Sequence, residues 1–208
     1  MVAQSEIFEK EQKIEALLNE IFKILNVTKT DSNEDTAHRV AKMWVNEIFR
    51  NDVEPKFESW LRDNLKSFPY DNKFNTSMVI TTVPFHAFCE HHLLPFSGKV
   101  QLGYLPSDKV IGLSKIPRIV DFWCHTPQLQ EKLCSDILNT FVTYLEPNFA
   151  CVRVIAEHSC VACRGIERDC KTDTFNYYYS NGYGTSNAGS EFVRRNIDDF
   201  FKRVGESL

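Results

Sequence analysis

The hydrophobic period of this chain changes near residue 77, and that change limits its fold more than any other feature. Before it, Ile7, Ile14, Leu17, Leu18, Ile21 and Leu25 recur at helical spacings, which predicts an amphipathic helix over residues 5–26. After it, in SMVITTVPFHAF, Val79, Thr81, Val83 and Phe85 alternate with Ile80 and Thr82, the period of a strand. The segment from Cys89 to Gly98 reads as a loop, and KVQLGYLP after it alternates again, with Val100, Leu102 and Tyr104 on one face. Two helical patterns follow. One covers residues 114–123; the other starts from the cap and first-turn pair Thr126-Pro127 and carries Leu129, Leu133, Ile137, Phe141 and Leu145. Residues 150–158 predict a strand and residues 171–180 a weaker one. Residues 190–204 predict a closing helix with Phe192, Ile197, Phe200 and Val204 on its stripe. The order β-β-α-α-β-β implies an antiparallel α+β sheet behind a helical N-terminal part.

That N-terminal part holds a second helix reaching about residue 50, with Val40, Met43, Trp44 and Ile48 on one stripe. The polar cluster at residues 31–35 offers N-caps for it. Residues 51–76 read as a connection with a short helix near 57–65, and residues 182–189 as a flexible loop. The chain is therefore expected to divide into a helical region, 1–76, and a sheet-bearing domain, 77–208.

With 208 residues, 43% of them hydrophobic and 25% charged, the chain can bury a core and is not largely disordered. A net charge of -4 argues against a general nucleic-acid binder, so an anionic ligand needs a local basic cluster. No apolar run approaches the roughly 18 residues of a membrane span, and the charged N-terminus does not read as an export signal. The expected compartment is the cytoplasm. Seven cysteines, an odd number with none before Cys89, suggest reduced thiols and metal binding rather than a disulfide framework.

Cys89-Glu90-His91-His92 is the densest functional signal, a thiol, a carboxylate and two imidazoles just after a strand. Far along the chain, His158-Ser159-Cys160 ends another strand. A catalytic zinc site takes three protein ligands and leaves a position for water. Cys89, one histidine of the 91–92 pair and Cys160 would supply such a set, leaving the other histidine and His158 free for proton transfer. An isolated Cys or His is more often a structural group; Cys89, Glu90, His91 and His92 at one turn with His158 and Cys160 at a distant strand end are not isolated. Cys160 and Cys163 form a C-x-x-C pair, but the second pair of a zinc ribbon and the βαβ pattern of a thioredoxin-like redox site are both lacking.

Basic residues form the second signal. Arg39 and Lys42 share one helical turn, Lys115 and Arg118 another, and Arg164 follows the second metal segment. Any one pair is ordinarily a solvated helix face; together they would clamp a polyphosphate. Gln130-Glu131 adds an amide and a carboxylate suited to a purine edge.

The blocks CEHHLLPFSGKVQLGYLP, VIGLSKIPRIV, PQLQEKL and EHSCVACRG, with TAHRVAKMWVNEIF before them, resemble the GTP cyclohydrolase I family. The resemblance implies a tunnelling fold whose sheets join into a barrel in a homo-oligomer, a decamer of two pentamers with active sites between subunits. It implies hydrolysis of GTP to 7,8-dihydroneopterin triphosphate and formate, with no membrane and no direct nucleic-acid partner. Residue by residue, it puts zinc on Cys89, His92 and Cys160, and proton transfer on His91 and His158. It puts guanine recognition on Gln130 and Glu131, and the triphosphate on Lys115, Arg118 and Arg164, with Arg39 and Lys42 from a neighbouring subunit. Ser114 falls where the family uses a hydroxyl near the substrate. The chain departs from the pattern at Thr126, where an arginine is usual, at Ala87, where a small hydroxyl residue is common, and over residues 170–175. A pterin or deazapurine enzyme of the same fold with a related purine pocket, and a non-catalytic zinc-dependent assembly or binding protein, are the competing expectations. The full set of metal, base and phosphate positions opposes the first, and the two free histidines oppose the second.

Overall fold

The computed structural model describes residues 4–53, 57–71, 78–180 and 187–205; most of the expected loop at 182–189, Pro55 and Ser77 lie outside them. Helices α1 (Gln4–Ile24) and α2 (Thr36–Met43) lead into a π-helical turn at Trp44–Ile48, then α3 (Arg50–Val53) and α4 (Phe57–Asn64). Strands β1 (Ser67–Pro69), β2 (Val79–Phe88), β3 (Pro95–Leu105) and β4 (Lys109–Ile111) come next. They are followed by α5 (Lys115–Cys124), α6 (Gln130–Leu145), β5 (Phe149–His158), the one-turn α7 (Ser159–Ala162), β6 (Lys171–Tyr179) and α8 (Asn187–Val204).

The long strands form one antiparallel sheet in the order β2-β3-β5-β6, and β1 pairs with β4 in a separate ribbon. On one face, Val83, Phe85, Val100, Leu102, Tyr104, Val152 and Val154 share a core with Ile116, Ile119, Leu133, Ile137 and Phe141 of α5 and α6. The Tyr104 and Phe141 rings meet there at 5.0 Å. Strand alternation thus supplies one wall of this core and spacing-four leucine, isoleucine and phenylalanine supply the other. Trp60, Leu61 and Leu65 also pack into it.

The other face is covered as well. α8 lays Phe200 against Met78, Phe149 and Cys151, with Phe192, Ile197 and Val204 around them. Burial on both faces explains why β5 is a nearly continuous apolar run rather than an alternating one. It also buries Arg153 in mid-strand, where a fork to Asp173 at 2.6–3.0 Å compensates the charge and the guanidinium lies 5.1 Å from the Phe201 ring.

Several boundaries differ from the sequence expectation for physical reasons. β3 begins at Pro95, so the segment expected as a loop through Gly98 is already paired with β2. α6 begins at Gln130 with Leu129 as N-cap, because Gln128 is held extended in a bridge to Cys89; Thr126-Pro127 lies upstream. The expected second helix breaks into α2, the π turn and α3, and its buried side is Ala37, Ala41, Val45 and Ile48. α1 buries Leu18 against α2, whereas Leu17, Ile21 and Leu25 of its expected stripe are exposed. β1 and β4 are too short for alternation to reveal. No helix among the described residues is long and apolar enough to cross a membrane.

At Gly98 the backbones of β3 and β5 leave no room for a side chain. A Cβ there would sit 1.9 Å from the carbonyl oxygen of Ile155 and 2.8 Å from Ala156 Cα, both backbone atoms that cannot swing away. Gly98→Ala is expected to cost about 3 kcal/mol or more, at the upper end for overpacking, and to lower Tm by several degrees. Thermal denaturation checks this, and an unchanged Tm would contradict the close approach.

Candidate metal centre and active site

The turn between β2 and β3 carries the first donors. Cys89 N donates to Leu94 O at 3.0 Å and Leu93 N to Cys89 O at 2.9 Å, closing the turn. Leu93 pays for that closure with φ 52, a left-handed conformation that costs a non-glycine residue about 1–2 kcal/mol. The segment before α6 pins the turn from outside: Gln128 N donates to Phe88 O at 3.0 Å and Glu90 N to Gln128 O at 3.4 Å. Gln128 itself is buried, with its side-chain amide donating to Trp123 O.

The second donor segment arrives through the sheet. β5 lies beside β3, with His158 directly across from Phe96, and turns at its end into α7, which holds Cys160. Ligand atoms of Cys89, His92 and Cys160 consequently all lie within 4.8 Å of one another. Cys89 is buried, Cys160 half-buried and His92 exposed. Burial first, and then the adjacent Cys89 thiol, push the Cys160 thiol up, with Arg164 pulling the other way. Two thiolates so close repel each other, and a divalent cation between them would remove the conflict. Two sulfurs and an imidazole nitrogen, one side open to solvent through His92, suit zinc in an open site.

His158 stands next to this group. Its ring stacks on Phe96 with centroids 4.5 Å apart and planes 3° from parallel, and its Nε2 lies 2.9 Å from Gln130 Oε1. Burial lowers its pKa, while the negative charge of Glu131 opposes the shift. His91 is exposed, its ring 6.2 Å from that of His92.

The other expected site residues are distributed more widely. Glu131 is exposed at the start of α6. Gln130, expected at guanine, is instead 2% exposed and bonded within the chain. Ser114 precedes α5 without capping it through its hydroxyl. Lys115 is half-buried and Arg118 exposed, the latter bonded to Asn64 at 3.2 Å. Arg164 is exposed after α7. Arg39 and Lys42 are exposed on α2, with Arg39 3.4 Å from Asp35. Sequence reasoning passed over Phe96 and Gln128. Their only signal is position, one across the strand pair from His158 and one two residues before Gln130.

Fold and site together define an antiparallel α+β protein with a Cys–His–Cys group of metal-binding type beside a half-buried histidine. The model of the GTP cyclohydrolase I family matches residues 11–195, and the chain belongs to that family. It is 39% identical over 161 residues to GTP cyclohydrolase 1 of Vibrio parahaemolyticus, covering 76% of this chain and 71% of the relative. It is 35% identical over 177 residues to GTP cyclohydrolase 1 of Haemophilus influenzae, covering 85% and 77%. Against GTP cyclohydrolase 1 of Yersinia pseudotuberculosis it is 36% identical over 189 residues, covering 89% and 82%. Among solved structures, the apo archaeosine synthase QueF-Like aligns over 50% of this chain and 96% of its own, at 16% identity and TM-score 0.38.

Proposed function

We propose that this chain hydrolyses GTP to 7,8-dihydroneopterin triphosphate and formate, with zinc held by Cys89, His92 and Cys160. The convergence of those three ligand atoms within 4.8 Å, in a chain of this family, carries the proposal. When bound, zinc supplies Lewis acidity that makes water a usable nucleophile near neutral pH. The chain's own groups do the rest. His158 and His91 move protons to and from the purine nitrogens and ribose oxygens as the imidazole ring of GTP opens and the pterin ring closes, a task that suits imidazole. Glu131 accepts from the guanine N1–H and 2-amino group. Lys115, Arg118 and Arg164 hold the triphosphate, joined by Arg39 and Lys42 of a neighbouring copy, with the Ser114 hydroxyl near the substrate. β2 and β6, the two edges of the main sheet, are of similar length, 10 and 9 residues, and would pair between copies to build a barrel within a decamer. Such an assembly works in the cytoplasm.

The test is turnover by the zinc-loaded protein: GTP should release formate and yield a pterin that fluoresces after oxidation. Bound zinc and GTP without either product would refute the activity. Glu131→Gln is expected to lower kcat/KM for GTP by roughly 5- to 150-fold, the cost of one unpaired polar group. It should also narrow the preference for GTP over ATP, which lacks the N1 hydrogen and the 2-amino group. Unchanged GTP turnover in that variant would remove Glu131 from guanine recognition.

A further inference from the structure

Gln130 Nε2 faces three oxygens: Val154 O at 2.9 Å, Thr172 O at 3.0 Å and Thr174 Oγ1 at 3.1 Å. Two of these are backbone carbonyls, which accept and never donate. Turning the amide over would set Oε1 against both, so the oxygen end must face the other way. That end meets His158 Nε2 at 2.9 Å. An amide oxygen only accepts, so His158 Nε2 carries the hydrogen. A neutral imidazole has a single N–H, which leaves the lone pair on Nδ1.

Phe96 restricts the same ring differently. It is 1% exposed, lies across the strand pair from His158, and stacks on it almost parallel. Stacking fixes the plane of the imidazole, but a half-turn about Cβ–Cγ leaves that plane unchanged. In the turned ring a C–H would face Gln130 Oε1 and the hydrogen bond would be lost. Phe96 therefore holds the plane, and Gln130 selects both the edge and the tautomer.

We infer that Gln130 is a positioning residue that keeps the ring hydrogen of His158 on Nε2, making Nδ1 the nitrogen that exchanges protons with the substrate. This rests on the role proposed above for His158. It also separates Gln130 from Glu131: the amide's donors are engaged by β5 and β6 and its oxygen by His158, so guanine recognition would require breaking buried bonds.

Two measurements test it, both using Gln130→Met, which fills a similar volume without hydrogen-bonding ends. The first is the 15N spectrum of histidine-labelled, zinc-loaded protein without GTP, with His158→Ala assigning the signal. His158 should show a protonated Nε2 and a bare Nδ1 in the parent, and a mixture of tautomers in Gln130→Met. A parent holding the Nδ1–H form overturns the inference. The second is kinetic. Gln130→Met should lower kcat by roughly 5- to 150-fold, the cost of losing one buried hydrogen-bond partner, while KM for GTP and zinc content stay the same. In a His158→Ala background the same substitution should cost nothing more, because Gln130 acts through that ring. A raised KM with weaker discrimination against ATP, or an equal loss in both backgrounds, overturns it. The spectrum needs no turnover, so a parent inert towards GTP counts against the proposed function while the tautomer is still decided.

Discussion

Cys160→Ala should release zinc and abolish GTP turnover, whereas Cys163→Ala should leave both within about twofold of the parent, as for a surface substitution. The two cysteines sit three residues apart at α7 and differ in what their sulfurs meet. Cys160 faces Cys89 and His92 inside the 4.8 Å group. Cys163 is exposed, and its thiol folds back onto Ser159 O at 2.7 Å within its own helical turn. Removing Cys160 leaves one sulfur and one exposed imidazole, too few donors for a closed hold on the metal. Metal analysis of the purified variants, alongside formate release, decides the matter. Zinc retained at full stoichiometry in Cys160→Ala would move the ligand set elsewhere.

His158→Ala should lower kcat by about 10²–10⁴-fold, the usual contribution of a general acid or base, with zinc still bound. His158 is absent from the three-donor group, so its loss removes proton transfer and not a ligand. The variant also gives up the stack on Phe96, worth about 0.5–1.5 kcal/mol for an aromatic pair, and a modest drop in Tm should accompany the kinetic loss. Single-turnover measurement at saturating GTP separates the two effects. Near-parental kcat with lowered Tm would reduce His158 to a packing residue.

The class of fold was legible because β2, β3 and the α5–α6 pair each obey a single period, and the segment Cys89–His92 stands out by composition alone. What stayed hidden depends on contacts between distant segments. Gln130 is conspicuous as a polar residue at a helix start, but only the arrival of β5 and β6 determines that its amide points into the sheet. Phe96 looked like loop because Pro95 and Gly98 flank it; register with β5 makes it the partner of His158. α8 was recognisable as a helix, yet nothing in its stripe says which sheet face it covers. On α1 the periodicity marked more apolar positions than this chain buries, and Leu17 remains 63% exposed. Periodicity reports that a face is apolar, not what lies against it.

The position of the donors in the chain also orders the events of folding. The Cys89 turn closes locally through bonds among Cys89, Leu93 and Leu94, and the segment at Gln128 pins it from outside. Cys160 can join it only after α5, α6 and β5 have been made and β5 has zipped onto β3 from Leu105 to Phe96. On a growing chain Cys89 and His92 thus leave the ribosome as an incomplete pair and wait for a strand still unmade. On the ligand set proposed above, three-donor metal capture would have to follow the pairing of β5 with β3, unlike small zinc modules in which the ion itself drives collapse. A nascent or truncated chain ending before Cys160 would carry the Cys89 thiol and the His92 imidazole without their third donor.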